Sequence, residues 1–464
     1  MKQSLFASLS SRGLTPDEIG LRHLAPAMLG EMVLRTTVSM VNVAFLSRIS
    51  DSMVSAVSIS TQYINILLMI ATAVATGSIV CINQAIGMGN RQRVERMANV
   101  AIAANALLGL VFGLLFLLFS PLFLTIMKVS PASLHMAAVY MRIVGGAMVI
   151  QCLQLVTSNI CRSMGRTKVP LLVNLCINAV NLVGCALVVF RPIPVPGEPV
   201  MGVAVANVAS QAVGLCLALW AMYRSAGIRI RLSLLRPFPW EDLKLSLGIG
   251  IPGGVNNIAY GSGQLVTTAI IALAGEEMVA AKVYITNIVQ YIALVGQACG
   301  QSGTILIGYR IGSGKYDEAM ALRRRITKIA LVSNVCFSLA VILLRRVLLG
   351  IFTTDSAILQ IASTVVVIDL FVEIGRALNN TLYGALQATG DVMYQLVVNQ
   401  SSNWLVSVAL SYLFGIVLGY GLNGIWVAFA LDEAVRGLIL LHRWNSKKWM
   451  EKAEKRRLQV AGSS

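Results

Sequence analysis

The chain has 464 residues, of which 56% are hydrophobic and only 12% are charged. Soluble domains are about one quarter charged, so this composition excludes an ordinary soluble protein. The formal net charge of +17 would suggest nucleic-acid binding if the basic residues formed one patch, but their distribution along the chain argues against it.

The chain begins with a stretch, MKQSLFASLSSRGLTPDEIG, that has no apolar core of signal-peptide length, so residues 1–21 are predicted to be a cytoplasmic tail. About twelve apolar segments follow, and each is long enough for a helix to cross about 30 Å of hydrocarbon. The predicted fold is therefore an all-α integral membrane protein. The predicted spans are 22–46, 53–82, 98–126, 136–161, 169–190, 201–223, 243–273, 279–307, 327–352, 359–388, 393–418 and 422–442.

The basic residues follow the positive-inside rule when the N-terminus is placed in the cytoplasm. Of the 37 Lys and Arg residues, 27 then fall in cytoplasmic segments, six on the opposite side and four within the spans. The high net charge is thus explained by the orientation of the chain in the membrane, with the basic residues mostly on the cytoplasmic side. This distribution predicts a multi-pass membrane protein with an even number of spans and with both termini in the cytoplasm.

The first span carries a possible i,i+4 ion pair, Glu31 with Arg35, for which a structural role is expected. Further along the same span, Asn42 is the strongly polar side chain in the middle of the apolar run SMVNVAFL. An amide in hydrocarbon needs a partner, because an unsatisfied polar group is costly there.

Two other spans carry stripes of carboxamides on one helical face. The fifth has Asn174, Asn178 and Asn181, and the eighth has Asn287, Gln290, Gln297 and Gln301. Such amides can line a substrate cavity or simply hydrogen-bond a neighbouring helix for about 1 kcal/mol. Both interpretations stay open for the two stripes.

The tenth span, TVVVIDLFVEIGRALNNTLYGAL, contains Asp369, Glu373, Arg376 and Asn380. At about 100° per residue these four fall within roughly 60° of one another, which predicts one polar stripe. An ionisable group retained in a membrane should face a cavity or a partner. The functional hypothesis is a carboxylate that gains and loses a proton or cation during transport; the alternative is a static Glu373–Arg376 ion pair.

The twelfth span holds a second charged cluster. Asp432 and Arg436 form an i,i+4 pair that can neutralise itself, which leaves Glu433 as the unpaired member. Glu433 is therefore a third candidate for ion coupling.

An internal repeat organises the chain. A shift of about 225 residues aligns QAIGMGN with YRIGSGK and Gly165 with Gly390, and a shift of 226 aligns Pro26 with Pro252. Because each half has six spans, the halves share one orientation, as in the parallel repeats of some secondary transporters, whose substrate site lies between the halves. The predicted domains are an N-lobe at 22–223, a basic linker at 224–242, a C-lobe at 243–442 and a basic tail at 443–464.

Enzymatic motifs are missing from the sequence. The three histidines, His23, His135 and His442, lie at span ends, and no HExxH sequence or nucleophile elbow occurs. We therefore expect a protein that is not an enzyme, with no metal site and no cofactor.

The chain resembles the multidrug and toxic compound extrusion (MATE) family, of the bacterial type. The resemblance rests on the PA-LGE opening of the first span, the two glycine turns quoted above, MGRTKVPLLVNLCINAVN, GALQATGD and NGIWVAFALDEAVRG. It covers about residues 20 to 445. It implies two six-helix lobes in a V-shaped arrangement, and export of cationic or amphipathic compounds in exchange for protons or sodium.

The sequence departs from the family pattern at two acids. Many bacterial members have an aspartate in the first span where this chain has Asn42, and an amide cannot carry a transported proton. Members with a C-lobe cation site have a glutamate in the seventh span, but no acid occurs between Asp242 and Glu276. Asp369 lies on the tenth span, where the aspartate of that site is expected.

The resulting prediction is an efflux antiporter that uses H⁺ or Na⁺ as its coupling ion. The predicted coupling residues are Asp369, Glu373 and Glu433, with Arg376, Asn42 and Glu31 modulating them. The predicted cavity residues are Asn287, Gln290, Gln297, Gln301, Asn380 and Asn178. The expected partners are a small-molecule substrate and membrane lipid, with no nucleic acid, and we expect a monomer. The alternative is a flippase of a related fold for a lipid-linked precursor, which would require a basic cavity.

Overall fold

The computed structural model describes residues 19–47, 51–126, 131–190, 199–236 and 238–462, and all regular secondary structure in these ranges is helical. The first half contains six helical segments, named α1 to α6. Their bounds are α1 Leu21–Ser47, α2 Asp51–Gly87, α3 Arg91–Ile126, α4 131–163, α5 Lys168–Phe190 and α6 Pro199–Ala221, the last continued by a π-helical turn at Met222–Ala226.

The second half repeats this pattern and adds one helix. Its segments are α7 Trp240–Ala274, α8 Glu276–Gly312, α9 Tyr316–Gly350, α10 Ser356–Thr389, α11 392–417, α12 Gly421–Asn445 and α13 Trp449–Gly462. A short 3₁₀ helix, Leu232–Leu235, lies in the connection between the halves.

Each of the twelve predicted spans corresponds to one of α1 to α12. The largest differences are at the starts of α3 and α9, which begin at Arg91 and Tyr316 instead of residues 98 and 327. Their first turns are helical but charged, so apolarity alone could not include them. By length and apolarity, seven of the described helices can cross a membrane, or eight if the two arms of α4 form one span.

Segments α4 and α11 are irregular. In α4, Pro131–Tyr140 and a π-helical turn at Met141–Gly145 are followed by Met148–Ser163, with a bend of 46° between the two arms. The bend lies where α4 approaches α3 closely, because a Cβ atom at Gly113 would overlap the carbonyl oxygen of Gly146. The π-helical turn directly before the bend is a recognised cause of such kinks. Segment α11 contains two π-helical turns, at Asn403–Val408 and Leu413–Val417.

The described chain divides into two compact units. The first contains residues 30–251, and the second contains residues 20–29 and 252–462. The first unit has an apolar core around the fully buried side chains of Phe116, Met141 and Met148. The second unit has a core around Ile285, Val365, Val372 and Ile425, and a second cluster near its C-terminal end.

These boundaries differ from the predicted domains. The predicted linker packs on the first unit, since Asn99 donates to the carbonyl of Arg229 and accepts from the amide of Arg231 at 2.8 Å. The first turns of α7 also belong to the first unit, because the backbone of Ser246 packs directly against Gly77 on α2. Conversely, residues 20–29 belong to the second unit, where Met28 contacts the hydroxyl of Ser302 at 3.3 Å.

The predicted C-terminal tail is helical and docked. The indole of Trp449 on α13 stacks on Trp444 of α12 with ring centroids 4.3 Å apart. Buried Asp391, at the start of α11, accepts from Lys452 of α13 at 2.6 Å and from Arg443 of α12 at 2.8 Å. Basic residues that sequence analysis assigned to the C-terminal tail therefore hold α13 against the second unit.

Candidate functional site

A cavity of about 620 Å³ lies within the second unit. Segments α7, α8, α10, α11 and α12 all contribute to its walls, and its lining contains carboxamides, aromatic rings and charged groups. The lining residues are Asn256, Asn257, Tyr260, Gln264, Lys282, Thr286, Val289, Gln290, Ala293, Gln297, Asp369, Arg376, Asn379, Asn380, Tyr383, Asn399, Ser407, Trp426, Phe429, Asp432, Glu433, Arg436 and Leu440.

The predicted polar stripe of α10 faces this cavity. Asp369, Arg376 and Asn380 line it. Glu373 lies directly behind them, with no exposed surface, and is ion-paired with Arg376 at i,i+3. Its carboxylate also accepts a hydrogen bond of 3.0 Å from the amide of Asn334 on α9.

Glu433 is not the unpaired acid that the sequence predicted. Its Oε1 lies 3.8 Å from Nε of Arg376, so one guanidinium contacts the carboxylates of Glu373 and Glu433. Asn379 of α10 donates to the Glu433 carboxylate and, at 2.9 Å, to its backbone carbonyl. The i,i+4 rule misses these partners because they lie on another helix, more than fifty residues away.

The Asp432–Arg436 pair on α12 forms as the sequence predicted. Ser402 of α11 donates a hydrogen bond to the same carboxylate. The Arg436 guanidinium lies 5.9 Å from the ring centroid of Tyr260 on α7, within the range of a cation–π contact. This pair thus links three helices around the cavity.

Asp369 differs from the other three acids. It is buried, and its Oδ1 accepts a hydrogen bond of 2.9 Å from the indole nitrogen of Trp426 on α12. Within the described ranges it forms no ion pair. Among the described residues, it is therefore the cavity carboxylate that has no direct basic partner.

Half of the predicted cavity amides line this space. Gln290, Gln297 and Asn380 do, whereas Asn287 and Gln301 do not. At about 100° per residue, the lining side chains of α8 fall within an arc of about 100°, and Asn287 and Gln301 lie beyond one edge of it. The predicted stripe therefore lies on a helix that does line the cavity, but it included two residues that lie outside the lining face.

The N-lobe candidates lie in the first unit. Glu31 does not pair with Arg35, which is exposed; it is bonded to Arg162 of α4 and to the amide of Asn174 of α5 at 2.8 Å. Asn178 is half-buried on α5 and so does not line the cavity of the second unit. Asn42 belongs to α1, but its side chain lies outside the described part of the structure.

Sequence analysis missed Lys282, which the charge count had assigned to a loop outside the membrane. It lies six residues into α8, lines the cavity and donates a hydrogen bond to the hydroxyl of Thr268 on α7. The sequence could have indicated it, because Lys282 is a lysine inside a predicted span. Tyr260, Gln264 and Trp426 were also missed, because isolated polar or aromatic residues in a span carry no pattern.

A duplicated helical architecture with ionisable groups around an internal cavity is typical of membrane transporters. The MatE family model matches residues 26–187 and again residues 252–413. The two matches have equal length and begin at the two prolines that the repeat aligned, which confirms the internal duplication.

Curated relatives cover nearly the whole chain. The chain is 31% identical over 454 residues to the uncharacterized transporter YisQ of Bacillus subtilis, with 97% of this chain and 99% of the relative covered. It is 25% identical to the probable multidrug resistance protein NorM of Thermotoga maritima, with 98% of each chain covered. The chain belongs to the MatE, or multidrug and toxic compound extrusion, family.

Solved structures share the fold. A multidrug resistance MATE family transporter in an outward-facing conformation aligns with a TM-score of 0.83 at 17% identity, covering 95% of this chain and 99% of the other. A MATE protein in the straight conformation aligns with a TM-score of 0.85 at 17% identity, covering 96% and 98%. The chain is therefore a multi-pass membrane transporter with twelve membrane helices in two six-helix repeats.

Proposed function

We propose that this protein is a secondary antiporter that exports cationic or amphipathic small molecules in exchange for protons or sodium. It would act in the bacterial cytoplasmic membrane with both termini in the cytoplasm. The observation that carries the proposal is a group of buried carboxylates at one cavity. Glu373 and Glu433 share the guanidinium of Arg376, and Asp369 forms no ion pair with a described residue.

The charge balance of this group supports ion exchange. Arg376 contacts two carboxylates, so its one positive charge cannot neutralise both. Asp369 adds a third negative charge that has no ion pair in the described ranges. Excess negative charge inside a membrane is expensive, and a bound proton or cation relieves it.

An ion can drive export only if it binds the two transport states with different affinity. Asp369 is suited to this role, since no arginine or lysine of the described ranges forms an ion pair with its carboxylate. Glu373 and Glu433 would respond to the charge of Asp369 through Arg376, because its guanidinium can move closer to either of the two carboxylates. Asn42 takes no part in proton exchange under this proposal, because an amide does not ionise.

The flippase alternative requires a basic cavity for phosphate groups. Here the two lining arginines, Arg376 and Arg436, both contact carboxylates. The lining thus contains as many acidic as basic side chains, which favours the exporter.

The test is export from cells that lack their own efflux pumps. Overexpression should raise resistance to lipophilic cations such as ethidium, and Asp369→Asn should remove most of that gain at equal protein abundance. The matched control is Asp355→Asn, the same change at the exposed N-cap of α10, where asparagine also caps well. The proposal is wrong if wild-type protein gives no resistance and deletion instead causes a lipid-linked precursor to accumulate.

A further inference from the structure

One cation lining the cavity is not used by the ion pairs described above. Arg376 and Arg436 contact carboxylates, whereas the ammonium of Lys282 donates to the Thr268 hydroxyl and forms no ion pair with any described residue. Lys282 is half-buried in the wall of the cavity. A positive charge in a cavity that admits only cations would repel the substrate.

The contacts between α8 and α10 place Lys282 relative to Asp369. The two helices run parallel, with Gly300 against Asn380 and Gly384, and the Thr304 hydroxyl donates to the Gly384 carbonyl at 3.1 Å. This register puts Asp369 level with about residues 285 to 289 of α8. Lys282 therefore lies about 5 to 10 Å from that level along the helix axes, at a rise of 1.5 Å per residue.

The cavity thus has two separated poles. At one, the ammonium of Lys282 on α8 has no anionic partner among the described residues; at the other, the carboxylate of Asp369 on α10 has no cationic partner among them. Other groups of the lining suit a polar aromatic solute. Thr286 and Gln290 lie on the same face of α8 as Lys282, and the rings of Trp426 and Phe429 on α12 also line the cavity.

We propose that the preferred substrate is a zwitterionic amphiphile, whose carboxylate binds Lys282 and whose cationic group binds Asp369. This inference rests on the proposed export function and narrows its substrate class. Asp369 would then exchange the substrate's cation for the coupling ion, while Lys282 selects for the anionic group. Lys282 is accordingly a specificity residue that contacts substrate and takes no part in ion coupling.

The test uses a matched pair of dyes, a rhodamine with a free carboxylate and its methyl ester, which keeps the cation and loses the anion. Equilibrium binding of each dye to the purified full-length protein is measured by fluorescence polarisation, and transport of each is measured in proteoliposomes. Wild-type protein should bind the carboxylate dye about tenfold more tightly, a difference of about 1.4 kcal/mol.

Lys282→Gln should remove this preference by weakening only the binding of the carboxylate dye. Lys282→Arg should keep it, because the positive charge remains. The control is Lys328→Gln, the same change at an exposed position of α9, which should leave both affinities unchanged.

The inference is overturned if wild-type protein binds the ester as tightly as the acid, or if Lys282→Gln weakens both dyes equally. These results would leave the export proposal standing, provided that an ion gradient moves the ester. If neither dye moves under any gradient, the export proposal fails, and the binding preference still decides the role of Lys282.

Discussion

The Arg376 guanidinium lies between two buried acids, Glu373 and Glu433, and this arrangement makes a prediction about stability. Arg376→Gln leaves Glu373, which has no exposed surface, as an uncompensated buried charge. Removing one partner of a buried pair typically costs about 3–5 kcal/mol, and the partial exposure of Arg376 favours the lower end. We expect a clearly lower unfolding temperature of the purified protein in detergent.

The matched control is Arg35→Gln, because Arg35 is exposed and forms no ion pair with described residues. Its unfolding temperature should stay close to that of the wild type. Adding Glu373→Gln to Arg376→Gln should recover part of the loss, since the buried charge is then removed. Equal unfolding temperatures for both single variants would contradict the assigned role of Arg376.

At the scale of single residues, the sequence predicted ion pairs within one helix and missed ion pairs between helices. Asp432 with Arg436 and Glu373 with Arg376 are neighbours on one helix, so spacing alone revealed them. Glu31 has an equally well spaced neighbour, yet its partner is Arg162 on another helix. A rule about spacing cannot weigh a neighbour against a partner that only the tertiary fold brings close.

The crossing of α8 and α10 gives a prediction at the scale of the helix. A Cβ atom at Gly300 would overlap the carbonyl group of Asn380, so Gly300→Ala must push the two helices apart. Overpacking of this kind usually costs about 1–3 kcal/mol. We expect lower thermal stability and weaker dye transport, because the same helices carry Lys282 and Asp369.

Gly303 of α8 is the control, because a Cβ atom there would meet only the Ile326 side chain, at an ordinary 3.6 Å. Gly303→Ala should be neutral or slightly stabilising, since alanine favours a helix over glycine by about 1 kcal/mol. If both alanine variants have the same stability, the close contact between α8 and α10 is not as described.

Helix α13 provides a second prediction at this scale. Asp391 holds Lys452 of α13, and Asp391→Asn removes the charge from that contact. We expect α13 to detach more often, so that trypsin cuts several-fold faster at the lysines and arginines of residues 447–457. Limited proteolysis with mass spectrometry measures this rate, and Glu451→Gln, at an exposed position of α13, is the control. Equal cleavage rates in both variants would mean that Asp391 does not hold the helix.

The docking of α13 also depends on pH through Glu454. Hydrogen bonds from Arg457 and Tyr316 lower the pKa of this carboxyl from its ordinary value of 4.5. A carboxyl with a lowered pKa stabilises the folded form above that ordinary value, and the contribution is lost as the pH falls through the lowered pKa. The contact is therefore complete at neutral pH.

Helix positions were predictable because the length of a membrane crossing and apolarity set them directly. The internal irregularities were not. The bend in α4 lies at a π-helical turn and a close glycine contact with α3, and the π-helical turns of α11 occur in a segment that contains no proline. Likewise the docking of α13 depends on Asp391, which lies 61 residues before Lys452.

For the whole molecule, the sequence predicted the duplication, but it revealed only part of the difference in charge between the two halves. The family match begins at Pro26 and Pro252, the residues that the repeat had aligned. The two halves carry charge differently. In the first unit Glu31 pairs with Arg162, while in the second unit three acids line a cavity and a fourth, Glu373, lies behind its wall. The polar stripe of α10 indicated this difference. The position of Lys282 in the cavity wall became apparent only from the packing of the helices.

The central claim is that carboxylates of the second unit couple export to an ion gradient, and proteoliposomes with an imposed pH or sodium gradient test it most directly. Wild-type protein and the Asp355→Asn control should move dye against its gradient when a pH or sodium gradient is imposed. The double variant Asp369→Asn, Glu373→Gln should lose this driven transport. If the double variant moves dye against its gradient as well as wild type does, these carboxylates do not couple transport.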